Sequence, residues 1–143
     1  MFMGEYQHAL DEKGRLIIPS RFRQELGEQC VVTRGLDQCI FLFAPAQWAA
    51  LEQKLQSLPL TKADARSFVR FLLAGASECE PDRQGRIILP ANLREYAGIE
   101  RDVVIIGVGN RAEIWSQQRW SQYSQEAASS FGKIAENLID LGI

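Results

Sequence analysis

Histidine is nearly absent from this chain of 143 residues; His8 is the only one. Cysteine is also scarce, with Cys30, Cys39 and Cys79 forming an odd set that holds no C-x-x-C spacing and lies far from His8 in sequence. Neither a zinc site nor a disulfide framework is indicated, and the three thiols are expected to remain reduced and to pack as small apolar side chains. No apolar run approaches the roughly 18 residues of a membrane span, and the opening MFMGEYQHAL lacks the basic start and apolar core of a secretory signal. The protein is therefore expected in the cytoplasm. Glycine-rich phosphate loops of the P-loop or G-x-G-x-x-G kind are missing. No cofactor, metal or small-molecule substrate is implied.

Hydrophobic residues make up 46% and charged residues 24% of the chain, the balance of a soluble globular protein with enough apolar material for a packed core. The net charge of −2 does not by itself favour a nucleic-acid partner. Its distribution along the chain changes that reading.

Self-similarity organises the sequence. DEKGRLIIPSRFRQELG from Asp11 aligns without a gap on DRQGRIILPANLREYAG from Asp82, at an offset of 71. Seven pairs are identical: Asp11/Asp82, Gly14/Gly85, Arg15/Arg86, Ile17/Ile88, Pro19/Pro90, Arg23/Arg94 and Gly27/Gly98. Average amino-acid usage would give about one. Gly4/Gly75 extends the register upstream, and Gly35/Gly107 and Trp48/Trp120 extend it downstream at an offset of 72.

Each copy reads as a strand, a tight turn at Gly14 or Gly85, and a β-branched strand, Leu16 to Ile18 or Ile87 to Leu89, closed by a proline. A short helix follows, with Ser20 as N-cap in the first copy and Gly27 or Gly98 as its stop. Two more strands complete each unit: Val31 to Thr33 and Cys39 to Phe43, then Val103 to Val108 and Ala112 to Trp115 around the Gly109-Asn110 turn. A unit this small has a poor core alone, so the copies should pack together as one pseudo-two-fold β-barrel or sandwich.

Helices are expected elsewhere: one from Pro45 with Trp48, Leu51, Leu55 and Leu58 on one face, and one from Thr61, capped with the help of Asp64, presenting Ala65, Phe68 and Leu72. A third carries Tyr123, Ala127, Phe131, Ile134 and Leu138 as a stripe for core or subunit contact. The resulting organisation is mainly β with short helices (α+β): repeat 1 over 5–47, a helical linker over 48–75, repeat 2 over 76–119, and a helical segment over 120–143.

The chemistry worth weighing lies in D-x-x-G-R, which occurs as Asp11-Glu12-Lys13-Gly14-Arg15 and as Asp82-Arg83-Gln84-Gly85-Arg86. Asp11 and Asp82 can accept backbone N–H bonds at the head of a turn, and Gly14 and Gly85 supply its positive φ. The arginine either pairs with its aspartate or projects outward. Residues 11–23 and 82–94 each carry two net positive charges, so the remainder of the chain is at −6. Concentrated positive charge in a repeated element is a footprint for phosphate.

At these residues the chain resembles the MraZ family of bacterial transcriptional regulators, whose units are of the SpoVT/AbrB swapped-hairpin type. The resemblance rests on LDEKGRLIIPSRFR, on FLLAGASECEPDRQGRIILPANLREYAG and on VGNRAEIW, in order and spacing, and spans nearly the whole chain. It implies tandem SpoVT/AbrB-like repeats folded against each other, a ring-like homo-oligomer, association with the nucleoid, and binding to direct DNA repeats upstream of the division and cell-wall gene cluster. Arg15 and Arg86 are the DNA-contacting residues it implies. Lys13 and Arg83 are added from charge and turn geometry.

Two rivals compete with a DNA-binding repressor. Asp11 and Asp82 could meet near the pseudo-two-fold axis as a proton-sharing pair in an enzyme, but each has a turn-forming role already and no catalytic partner set assembles around them. An antitoxin-like or structural protein-interaction module would use the barrel to dimerise and the tail from Ser129 to Ile143 to hold a partner. Because Lys13, Arg21 and Arg23 surround the first motif, Arg15→Ala is expected to weaken DNA binding more than Arg86→Ala; titration of the two single variants would reverse that order if Arg86→Ala lost more.

Overall fold

The computed structural model of the chain describes residues 1–138, 141 and 142. Ile139 and Ile143, counted in the apolar tail, lie outside the described residues. The first repeat contributes β1 (Phe2–Ala9), β2 (Arg15–Ile17), α1 (Ser20–Leu26), β3 (Cys30–Arg34) and β4 (Ile40–Phe43), with a 3-10 turn at Leu36–Gln38. Two helices follow, α2 (Pro45–Gln56) and α3 (Ala63–Ala74). The second repeat supplies β5 (Ser77–Cys79), β6 (Arg86–Ile88), α4 (Ala91–Ala97), β7 (Asp102–Gly109) and β8 (Ala112–Ser116), and α5 (Gln117–Asn137) closes the chain.

Strand pairing is exchanged between the repeats. The large antiparallel sheet runs β1-β7-β8-β4-β3-β5, and β2 and β6 form a separate two-stranded ribbon. Swapping each strand for its repeat counterpart reverses the large sheet's order onto itself, which is the signature of a pseudo-two-fold axis between β4 and β8. In the ribbon, Leu16 opposes Ile87, flanked by Arg15↔Ile88 and Ile17↔Arg86. Bonds from Ile18 N–H to the Gly85 carbonyl and from Leu89 N–H to the Gly14 carbonyl, both 2.9 Å, extend it symmetrically. The expected pseudo-symmetric packing is thus achieved by sheet and ribbon around a shared core, with β1 and β5 left as the two sheet edges.

Both faces of the central strands are buried, which explains their nearly continuous apolar runs. Ile40, Leu42, Val103, Ile105 and Ile114 face the ribbon and the short helices, joining Leu16, Ile18, Phe22, Leu26, Ile87, Leu89 and Leu93 in the main core. Phe41, Phe43, Val104, Ile106 and Trp115 point the other way into a second core covered by Trp48, Leu51 and Trp120. The two repeat-matched tryptophans do the same job: Trp48 lies 5.7 Å from Phe43, and Trp120 lies 5.3 Å from Trp115, ring centre to ring centre.

Several boundaries shift from expectation for local reasons. The ribbon strands start at Arg15 and Arg86, one residue early, because those residues already pair across the axis. Ser20 is the first helical residue, not the N-cap; Pro19, with φ −52°, takes the capping position and no side chain caps α1. The helix expected from Thr61 starts at Ala63, because a turn bond from Lys62 N–H to the Pro59 carbonyl occupies the preceding residues. Lys62 is its N-cap, no side chain caps it, and Asp64 sits in its first turn, where its charge suits the helix dipole. The stripe on α5 touches the second core only at its start, where Tyr123 lies 4.9 Å from Trp115, ring centre to ring centre; further on, Phe131 is 72% exposed and Leu138 just beyond the helix 54%. No described helix is long and apolar enough to cross a membrane.

Phe22 links α1 to β1 by edge-on contacts with Phe2 (5.1 Å) and Tyr6 (5.3 Å) and is 2% exposed. Phe22→Ala should therefore lower unfolding free energy by about 3–5 kcal/mol in denaturant titration. Ile17→Ala, on the open face of the ribbon, should change it by no more than about 0.5 kcal/mol.

Candidate nucleic-acid interface

Each D-x-x-G-R segment folds into the same compact turn. The Asp11 carboxylate accepts from the backbone N–H groups of Lys13 and Arg15, both at 2.9 Å, and from Arg15 Nε at 2.6 Å. Asp82 accepts from the N–H groups of Gln84 and Arg86 at 2.9 Å and from Arg86 Nε at 2.8 Å. A backbone bond from Gly14 N–H to the Asp11 carbonyl closes the first turn, and Gly85 N–H to Asp82 closes the second. Gly14 (φ 77°) and Gly85 (φ 76°) stand in the left-handed region that side chains resist.

These bonds fix the arginines. Each guanidinium is held through Nε to its own aspartate, and Arg86 Nη1 also lies 4.0 Å from Asp11 Oδ2, so the two motifs meet across the axis. The arginine side chains remain 28% and 24% exposed. No hydrogen bond within the described chain uses an Nη atom of either group, so both keep donors for another partner. The alternatives of pairing and projection coexist, because a guanidinium carries five N–H donors.

Strand alternation sets the surface of the ribbon. Leu16 and Ile87 turn inward, so Arg15, Ile17, Arg86 and Ile88 share the outer face, with the isoleucines 45% and 62% exposed. Lys13 and Arg83 occupy exposed positions in the adjoining turns, at different places in the two copies. The candidate surface is thus a two-stranded ribbon with a cation at each turn and an apolar residue beside each arginine.

Arg23 and Arg94 were legible as repeat identities but not as parts of this surface. Arg23 Nε donates to the Ile18 carbonyl at 2.8 Å and Arg94 Nε to the Leu89 carbonyl at 3.0 Å. Each guanidinium then lies over the turn glycine of the other repeat: Arg23 fills the space a Gly85 Cβ would need, and Arg94 Cζ would sit 3.2 Å from one on Gly14. The signal that could have found them is their identity at the same distance beyond both motif arginines. Their role depends on strand exchange, which spacing alone does not display.

Both aspartates are held below the ordinary carboxylate value of 3.8, first by the backbone N–H of Arg15 or Arg86 and further by the arginine side chain. A proton-sharing pair would raise one of them, so the geometry does not suit the carboxylate dyad. Among the described residues, no three His, Cys, Asp or Glu side chains converge as a metal-binding group.

Residues 1–71 and 72–142 each match the family model described as "MraZ protein, putative antitoxin-like". The protein called transcriptional regulator MraZ in Syntrophomonas wolfei subsp. wolfei is 62% identical over 143 residues, the full length of both chains. Its namesake in Natranaerobius thermophilus is 60% identical over the same span, and that of Desulforamulus reducens is 57% identical over 141 residues, 99% of each chain.

A depressed folded-state pKa contributes stability that is present above the unfolded value and lost as pH falls through the folded value. The Asp11→Asn/Asp82→Asn double variant should therefore melt below wild type at pH 7, and the gap should close as pH drops below 3.8. Melting curves of both proteins over pH 7 to 3 check this; a gap independent of pH would remove the carboxylates from the account.

Proposed function

This chain belongs to the MraZ family, and on that premise we propose that it is a sequence-specific DNA-binding transcriptional regulator whose contact surface is the β2/β6 ribbon. The observation that carries the reading is the symmetric pair of arginines, each clamped through Nε with its Nη donors uncommitted, on a ribbon with exposed cations at both turns. A two-stranded ribbon fits the B-DNA major groove, where arginine can pair bidentately with guanine and an apolar side chain can meet a thymine methyl. In this reading Arg15 and Arg86 read base edges and phosphates, and Lys13 and Arg83 add phosphate contacts at the rim. Asp11, Gly14, Asp82 and Gly85 shape the turns.

The aspartates do not cancel this surface. Exposed ion pairs are weakly stabilising and screened by salt, so a phosphate can share or replace a carboxylate at the guanidinium. A single ribbon makes few contacts, and affinity would rise steeply in a ring-like homo-oligomer whose ribbons engage successive direct repeats at once. The exposed stripe on α5 is available for such subunit contact. The target we propose is the promoter of the division and cell-wall gene cluster, with repression as the outcome of covering it and the nucleoid as the place of action.

The decisive experiment is binding to a labelled fragment upstream of the protein's own gene, across a salt series, with wild type beside an Arg15→Ala/Arg86→Ala variant of verified oligomeric state. Wild type should bind tightly with steep salt dependence, and the variant should lose binding, with the log–log salt slope reduced by about 0.9 per phosphate contact removed. Equal binding by the two proteins would take recognition off the ribbon. Absence of binding by either would favour a protein-interaction module instead.

A further inference from the structure

Two of the three cysteines, 49 positions apart, are brought face to face by the exchange of strands. Cys30 on β3 is the register partner of Cys79 on β5, and their Sγ atoms are 2.7 Å apart as free thiols. A disulfide needs its sulfurs at roughly 2.05 Å and its Cα atoms within about 7 Å, which a directly opposed cross-strand pair can satisfy with little backbone movement. Cys39 is fully buried in the second core and does not take part.

The place of this pair in the pseudo-symmetric fold is informative. The β1·β7 pairing holds eight register pairs, whereas its counterpart β5·β3 holds three. The residue matching Cys79 in the first repeat is His8, which faces Val103. The thiols therefore occur only at the shorter of the two edge pairings, three positions ahead of Asp82, where the second motif begins. Cys30 is fully buried, while Cys79 keeps partial solvent access.

We propose that Cys30 and Cys79 are a reversible oxidation site: hydroperoxide converts them to an intramolecular disulfide that staples edge strand β5 to β3, and a dithiol reductant releases it. The pair shares one proton on first ionisation. Whichever sulfur keeps that proton donates it to the other, so the first proton leaves the pair more easily and the second is held harder. With the shared proton passed to Cys30, Cys79 Sγ, the sulfur with solvent access, attacks hydrogen peroxide. The O–O bond breaks, one oxygen leaves as hydroxide and becomes water by taking up the proton released on first ionisation, and Cys79 becomes a sulfenic acid. Cys30 Sγ then attacks the Cys79 sulfur; the S–O bond breaks, the S–S bond forms, and the departing hydroxide leaves as water with the Cys30 proton. Two thiols lose two electrons in all, and one peroxide becomes two waters.

Burial of Cys30 leaves Cys79 as the sulfur that a reductant can reach, and the edge position keeps the bond open to a dithiol, the combination expected of a transient rather than a permanent bridge in a reducing compartment. The consequence is a covalent tie between the repeats at the shorter of their two edge pairings. It needs no bound DNA and does not rest on the function proposed above.

The test uses the full chain, treated with hydrogen peroxide and then alkylated, with thiols counted by mass spectrometry and cross-linked peptides mapped. Wild type should lose two of its three thiols within one chain, recover both with dithiothreitol, and yield a single Cys30–Cys79 cross-link, with amide exchange at Ser77–Cys79 slowed while oxidised. Cys39→Ser should form the same cross-link. Cys79→Ser, at the more accessible position and so the safer variant for folding, should form none. Retention of all three thiols, consumption of Cys39, or cross-links only between chains would overturn the proposal.

Discussion

Everything in this fold depends on one pairing: the strand partner of β2 in the first repeat is β6 of the second, and β2 pairs with no strand of its own repeat. A three-residue strand with one inward side chain cannot bury it alone. Leu16 and Ile87 can be buried completely only when they face each other beneath the ribbon. Full burial of side chains of this size stabilises by about 1.5–3 kcal/mol each, and the same pairing brings both motif turns to one surface. The core and the candidate interface are therefore consequences of a single constraint.

Symmetry then follows from exchange. β1 leaves its turn to pair with β7, and β5 leaves its turn to pair with β3, so each repeat completes the other. The helix arginines obey the same logic, because Arg23 and Arg94 are fixed by their own chain carbonyls yet lie over the other repeat's turn glycine. A substitution at Gly85 is consequently felt in the first repeat. The duplication has also diverged where symmetry is not enforced: β1 is eight residues and β5 is three, and α3 runs up to Gly75 where the first repeat has Gly4 within β1.

The aspartate–arginine clamp reconciles two demands that otherwise conflict. An unrestrained arginine loses rotamer freedom on binding a ligand, whereas one held through Nε has already lost much of it while keeping its Nη donors. The cost is a carboxylate beside the place where phosphate would approach. That cost is small while the pair is solvent-exposed, because screening weakens repulsion as it weakens attraction.

The duplication, the α+β content, the position of both turns, the stopping glycines at 27 and 98, and the concentration of positive charge are legible along the chain, since each is encoded locally by residue type and spacing. The sequence also made clear that one repeat was too small to stand alone. Which strand pairs with which was decided only in three dimensions, because period-two alternation states which face is buried and not what lies against it. For that reason the opposition of Leu16 to Ile87, the crossing of Arg23 and Arg94 onto foreign glycines, and the meeting of Cys30 with Cys79 were illegible along the chain. Helix starts at Ser20 and Thr61 were misplaced by one or two residues because Pro19 and the Pro59 turn set the backbone there, a matter of local geometry that side-chain capping preference does not override.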